Sequence, residues 1–422
     1  MFLTLISLLL FNTGDTLVFS LDEAIDFAIK NNAEIRQANL ELEKSVADIG
    51  AARSAFYPTI NATGYYAYLS DLPVFQLDSV FIPMGQHENY NLQVSLQQVI
   101  FAWGKIYDAY RIAGLNRDIA ELNLIRKKQE ILCSVTKSYY GLLVLEKMVE
   151  LTRESMEQLK RHEEAVRKRY EAGLVSQFDL LRSQVQVANL RPRLIEAENG
   201  LKLAREGFKM LLGLTQDKEF ILKDSLAIID EDFDLEDLKE EALANRPELK
   251  NLQKIEKISK LAKSIKARSN LPSIFAGVSY DRKKPFSFGG NDWGSNLTFN
   301  VGFQFPIFGG YKSLYEYNKS GLQLKEVELA LENLSKGIVL EVKQAYLNIV
   351  ASKEAINAAR ENIVQAEKAF NIMETRYKNG LATNLEYLDT QLAMMQAKIN
   401  YLNALKDYLS ARADLIKAVG KE

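Results

Sequence analysis

Arg169-Tyr170-Glu171-Ala172-Gly173-Leu174-Val175-Ser176-Gln177-Phe178-Asp179 decides how this chain is read. The stretch recurs 207 positions later as Arg376-Tyr377-Lys378-Asn379-Gly380-Leu381-Ala382-Thr383-Asn384-Leu385-Glu386. Each copy holds a Gly that can end a helix at positive φ. A Ser or Thr follows as an N-cap, with an acid three residues on. Each copy lies between two long helical patterns, so the chain is expected to build the same long helical hairpin twice.

Working outward, Lys105 to Ala172 contains no Pro, and Ala109, Ile119, Leu132, Tyr139, Val149 and Val166 fall at helical spacing. About 68 residues at ~1.5 Å each would make roughly 100 Å of helix, far beyond the usual globular length. The return helix of this hairpin (105–212) carries Pro192, which predicts a kink or break near Leu190. The second hairpin occupies 312–419.

Ahead of each hairpin, alternation replaces helical spacing. Leu92, Val94 and Leu96 alternate with Asn91, Gln93, Ser95 and Gln97, and Leu297, Phe299, Val301, Phe303 and Phe305 alternate with Thr298, Asn300, Gly302 and Gln304. Period two means strand. Strands are expected at about 59–69, 90–99, 273–281 and 296–306, with a loop containing Pro73 and Pro83 inside the first pair. A helix from Leu21, capped by Ser20 with Glu23 three residues on, continues to about Phe56 and stops at Pro58. Its counterpart runs from Leu235 to about Ser269, broken by Pro247.

The two halves match without gaps at an offset of 207: Lys105 meets Lys312, Tyr139 meets Tyr346, Gly173 meets Gly380 and Gly213 meets Gly420. Before the strands the offset is 214, so the second strand–loop–strand unit is seven residues shorter. Length varies in the strand loops and is fixed in the long helices. The expected organisation is two tandem structural repeats, 15–214 and 235–422, joined by an acidic connector at 215–234 with a short apolar segment at Phe220 to Leu222. Residues 1–14 open with an apolar run too short to span a bilayer, and read as a signal peptide. Such signals usually start with basic residues. None stands here, so the true start is expected further upstream.

Composition narrows the function. The 53 basic and 55 acidic residues nearly cancel, giving no electrostatic reason to expect nucleic acid. One Cys and two His rule out an internal disulfide and speak against a Cys/His metal site. No catalytic constellation stands out, so the chain is read as a non-enzyme without a cofactor. His87 reads as a loop residue, and His162, beside Arg161, Glu163 and Glu164, as a solvated one. Cys133 and the Met394–Met395 pair read as packing.

The alternating strands have two readings. In a β-sandwich the apolar face would be core. In a membrane barrel it would face lipid, with an uncharged Asn/Gln/Ser/Thr face toward water and aromatics such as Tyr66, Tyr90, Trp103 and Phe308 at the interfaces. Four strands cannot close a barrel alone, since membrane barrels need eight or more. Several chains would have to share one.

The ordered set resembles the TolC family of outer-membrane efflux proteins. It comprises Leu21-Asp22-Glu23-Ala24 with Asn31-Asn32, then Arg246-Pro247-Glu248-Leu249, and the Arg-Tyr-x-x-Gly-Leu-x-Ser/Thr-x-x-Asp/Glu turn twice. The likeness spans nearly the whole chain. It implies a mainly α fold with membrane β: a homotrimer whose 12-stranded β-barrel, in outer-membrane lipid, continues into a long α-helical barrel across the periplasm. It implies an outer-membrane location in a Gram-negative-type bacterium. The function it implies is a passive exit channel of a tripartite efflux or type I secretion system, working with a periplasmic adaptor (membrane fusion protein) and an inner-membrane pump.

Carried over residue by residue, the resemblance makes Gly173, Leu174, Ser176, Asp179, Gly380, Leu381, Thr383 and Glu386 adaptor-docking tips. Turn formation and capping alone would require the same Gly and Ser/Thr. The family's acids after the second tip line a constriction, and here these are Glu386 and Asp389, which could equally be a surface pair. An Asp–Tyr latch between tips maps onto Asp179 and Tyr377. The family's Arg two positions after the second tip Gly is replaced by Ala382, so that part of the lock is absent. The alternatives are a soluble periplasmic coiled-coil scaffold or an adaptor protein, although adaptors usually carry one shorter hairpin.

Overall fold

The computed structural model describes residues 16–77, 79–228, 231–287 and 290–421. The expected signal segment, 1–14, lies outside them. In chain order the elements are β1 (Leu17–Phe19), α1 (Leu21–Asn31), α2 (Ala33–Ser54), β2 (Thr59–Tyr68), β3 (Val74–Leu77), β4 (Val80–Pro83), β5 (Glu88–Phe101), α3 (Lys105–Glu171) and α4 (Gln177–Leu212). They continue with β6 (Phe220–Leu222), α5 (Leu235–Asn245), α6 (Pro247–Ala267), β7 (Ser273–Lys284), β8 (Gly294–Gln304), α7 (Lys312–Lys378) and α8 (Asn384–Val419). Both α3 and α7 have 67 residues, and both α4 and α8 have 36.

Contacts divide the chain into two compact units, one holding Glu41–Glu121 and Asn251–Glu332. Its centre is an antiparallel sheet in the order β2-β5-β7-β8. The register lines up Ile60, Leu96, Val278 and Phe299 in one row, and Ala62, Val94, Tyr280 and Leu297 in another. The rows between them are Asn61-Ser95-Ser279-Thr298 and Thr63-Gln93-Asp281-Asn296. Period-two alternation thus gives one apolar and one polar face. The sandwich reading requires the apolar face to be covered. Instead Phe299, Val301 and Phe303 are 73%, 80% and 74% exposed. The polar face is not wholly uncharged, since Asp281 lies on it and accepts from Gln93 Nε2 at 2.7 Å.

The loop between β2 and β5 holds a further hairpin, β3–β4, which Pro73 and Pro83 disguised in the sequence. At the junction from β5 to α3, Trp103 adopts φ 56° and donates from Nε1 to the Pro272 carbonyl at 2.7 Å. Arg268 donates to the Trp103 carbonyl and pairs with the Asp108 carboxylate.

The other unit holds the described parts of Met1–Leu40, Leu122–Lys250 and Asn333–Glu422. In the connector, β6 pairs in parallel with β1, residue by residue from Leu17↔Phe220 to Phe19↔Leu222. Phe220 is fully buried against Phe208, and the Arg205 guanidinium sits 4.3 Å above its ring. The buried hydroxyl of Tyr139 lies 2.9 Å from the Phe19 carbonyl and 3.0 Å from the Asp224 carboxylate.

Two expectations are corrected. The helix from Leu21 is not continuous. Asn32 ends α1, and its Oδ1 accepts from the amides of Glu34 and Ile35 to start α2, while its Nδ2 donates to the Leu211 carbonyl at 2.8 Å. The equivalent break falls at Arg246, ahead of Pro247. Conversely, of the kink or break expected near Leu190 the break does not occur: α4 is one helix through Pro192. Pro192 costs the helix one internal bond, and beside it Leu190 is buried against Met156 and Met395. Both return helices end on a left-handed Gly packed against these breaks. A Cβ on Gly213 would meet the Asn31 carbonyl oxygen at 2.6 Å, and one on Gly420 the Arg246 nitrogen at 3.2 Å. Among the described residues no helix is long and apolar enough to cross a membrane, which says nothing of a β-barrel.

Candidate functional site

The two hairpin turns are built alike. Gly173 and Gly380 have φ of +72° and +74°, and the amides of Leu174 and Leu381 return to the carbonyls of Arg169 and Arg376, each at 2.8 Å. Left-handed backbone explains the Gly at each. Nothing lies within 4 Å of a Cβ placed on either, so each turn is open on that side in the single chain.

The Ser176 hydroxyl caps the Asp179 amide at 3.1 Å, and the Asp179 carboxylate accepts from the Ser176 hydroxyl at 2.6 Å. Thr383 and Glu386 repeat the capping box, with the Glu386 carboxylate accepting from the Thr383 amide at 2.7 Å. The Thr383 amide and the Thr383 hydroxyl, which donates to the same carboxylate at 2.9 Å, hold the Glu386 carboxyl below its ordinary value. Asp389 reaches Arg182 on α4 at 3.6 Å. Both candidate gate acids therefore have partners within the chain. The tips also expose Leu174, Phe178, Leu381 and Leu385. Phe178 and Leu385 were missed in the sequence, although they are equivalent at the 207 offset.

Asp179 and Tyr377 are brought near each other but share no hydrogen bond. The Asp179 carboxylate is turned back to Ser176, and the Arg169 guanidinium lies over the Tyr377 ring, 5.2 Å from its centre. Burial raises the Tyr377 phenol, Arg169 opposes that rise and Asp179 adds to it.

The main correction concerns His162, which is buried rather than solvated. Its ring stacks on Tyr387, with centroids 4.3 Å apart and planes 20° apart, and lies 5.2 Å from Tyr377. Its Nε2 is 2.7 Å from Oδ1 of Asn384. The Asn384 Nδ2 donates to the Asp179 carbonyl at 3.0 Å. A carbonyl can only accept, so the amide orientation is fixed and Nε2 must carry the proton. His162 on α3, Asp179 on α4, Tyr377 on α7 and Asn384 on α8 thus meet in one cluster, backed by Phe370 and Leu388.

A four-stranded sheet with an exposed apolar face, combined with two long hairpins, is the fold of outer-membrane channels. The solved Campylobacter jejuni CmeC outer membrane channel superposes with a TM-score of 0.81 over 95% of this chain and 85% of that one, at 17% identity. The chain belongs to the outer membrane efflux protein family, whose model matches residues 24–214 and 238–421. Outer membrane protein TolC of Escherichia coli is 22% identical over 408 residues, covering 92% of this chain and 80% of that protein. Cobalt-zinc-cadmium resistance protein CzcC of Cupriavidus metallidurans is 24% identical over 328 residues, covering 75% and 74%. The protein is an outer-membrane efflux channel, and the scaffold and adaptor readings fall away.

Proposed function

We propose that three copies of this chain close one 12-stranded barrel in the outer membrane, which continues into a long α-helical barrel in the periplasm. The observation that carries this reading is the sheet itself. It exposes apolar rows on one face and ends in two strands, β2 and β8, each with an unpaired edge within the chain. Exposed edges invite pairing, and closure removes them. Four strands from each of three copies satisfy both edges and put the apolar face against lipid. Matched helix lengths and the paired breaks at Asn32 and Arg246 support two tandem repeats, divided as the sequence divides them.

The hairpin tips would receive the helical hairpins of a periplasmic adaptor, coupled to an inner-membrane pump. Gly173, Leu174, Ser176, Asp179, Gly380, Leu381, Thr383 and Glu386, with Phe178 and Leu385 beside them, would form the contact. Exposed Leu and Phe beside a Gly that leaves room for close approach fit a helix-in-groove contact. Glu386 and Asp389 would ring the lumen three times over and favour cations. Asp179 and Tyr377 would belong to the closing contacts. The duct itself does no chemistry, and its cargo is set by the pump.

Disulfide cross-linking tests the closure. Cysteine at Thr63 on β2, paired in turn with cysteine at Asn296, Thr298 or Asn300 on β8, should give ladders ending at three chains. Monomers alone at every pairing would refute it.

A further inference from the structure

His162 and Asn384 have no part in turn formation or capping at the first tip, yet they are the buried polar pair that joins the tips. Neutral His162 donates through Nε2 to Asn384, and Asn384 donates to the backbone of Asp179. One side chain from each hairpin is therefore needed for the bridge. We propose that His162 and Asn384 form a clasp that holds the two tips of one protomer together, and that a second proton, which would go to Nδ1 and put a cation in this buried site beside Arg169, loosens it. This rests on the reading of the tips as the gate.

The surroundings decide the direction. Within α3, Arg169 acts on the ring as a like charge, and Arg161 lies toward Tyr387. From α7 come Tyr377 and, acting on Tyr387, Glu374. Tyr387 stacks from α8, and α4 presents the Asp179 backbone, with its carboxylate held by Ser176. Ring faces attract a cation, but Tyr377 already carries the Arg169 guanidinium. Burial pushes the imidazole below its ordinary value of 6.5, the Asn384 bond opposes this, and Arg169 adds to it.

For a depressed value, the clasp is at full strength above the ordinary imidazole value. It weakens as pH falls below 6.5 and through the lowered value. Within that window, the ratio of open to closed tips rises by up to about tenfold per pH unit for each clasp.

Single-channel recording of the purified full-length channel in planar bilayers, between about pH 7.5 and pH 5, tests the clasp. The wild type should gain open probability on acidification. His162→Gln keeps an N–H donor but cannot titrate, and should lose that gain. Asn384→Ala should raise open probability at neutral pH. A wild-type acid response in His162→Gln would overturn the proposal. So would a raised conductance in Tyr377→Phe with none in Asn384→Ala. Unchanged conductance in Asn384→Ala, Tyr377→Phe and Asp179→Ala at every pH would instead sink the gate reading on which the clasp rests.

Discussion

Asn384, the first residue of α8, donates its side-chain amide to the backbone carbonyl of Asp179 on α4, 3.0 Å away. The second hairpin turn therefore grips the first at the residue that completes the first turn's capping box. Any change to Asp179 acts on the cap through its carboxylate. It leaves the grip, which uses only the backbone.

That separation gives a prediction for the tips. Asp179→Ala removes the reciprocal cap on Ser176, at a cost of about 1 kcal/mol, and also the charge beside Tyr377. Tyr377→Phe removes only the hydroxyl and keeps the ring under Arg169. Both should raise single-channel conductance of the isolated trimer, with Asp179→Ala the larger. Unchanged conductance in both would end the latch reading.

The two sheet faces give opposite outcomes for the same substitution. Val301→Arg puts a charge on the apolar face, at about 2–4 kcal/mol if it lies near the bilayer midplane, and should abolish outer-membrane assembly. Thr298→Arg lies on the polar face, the lumen side of the proposed barrel, and should assemble normally with altered ion selectivity. Outer-membrane fractionation separates the two. If Val301→Arg assembles as well as Thr298→Arg, the faces are wrongly assigned.

Glycine positions divide by what surrounds them. Gly173→Ala and Gly380→Ala have space for the methyl group and meet only the left-handed backbone, a cost of roughly 1–2 kcal/mol each. Gly213→Ala adds a collision with the Asn31 carbonyl, so it should cost about 3 kcal/mol. Thermal unfolding should rank Gly213→Ala well below the other two. Adaptor copurification should be weakened at the tips and not by any variant that merely loses stability.

At the connector, Tyr139→Phe deletes the hydroxyl at the Phe19 carbonyl and Asp224 while keeping the ring. The Phe19 carbonyl keeps the Lys223 amide at 2.9 Å, so the loss is that of the hydroxyl's own hydrogen bond and of the acceptor for the Asp224 amide, about 0.5–1.5 kcal/mol. Limited proteolysis should then cut first around β1 and β6. Protection equal to wild type would mean that the strand pair holds without Tyr139.

Much of this was readable in the sequence because it is periodic. Alternation located β2, β5, β7 and β8, and the Gly-x-x-Ser/Thr turn fixed both tips. The rest depends on partners distant in the chain. His162 looked solvated because Arg161, Glu163 and Glu164 flank it, but helix neighbours point in other directions. Its partner Asn384 is 222 residues away. The break at Asn32 shows no Gly or Pro, because the Asn side chain itself starts the next helix. At Pro192 the helix continues, and the partners of its neighbour Leu190, Met156 and Met395, are distant in the chain.

The central claim is a trimeric duct seated in the outer membrane, and extraction of that membrane tests it most directly. The chain should come out as a detergent-resistant oligomer that heating converts to monomers, with a mass equal to three chains by cross-linking, and it should conduct ions in planar bilayers. A monomer recovered from the soluble periplasmic fraction, with no conductance, would contradict the account.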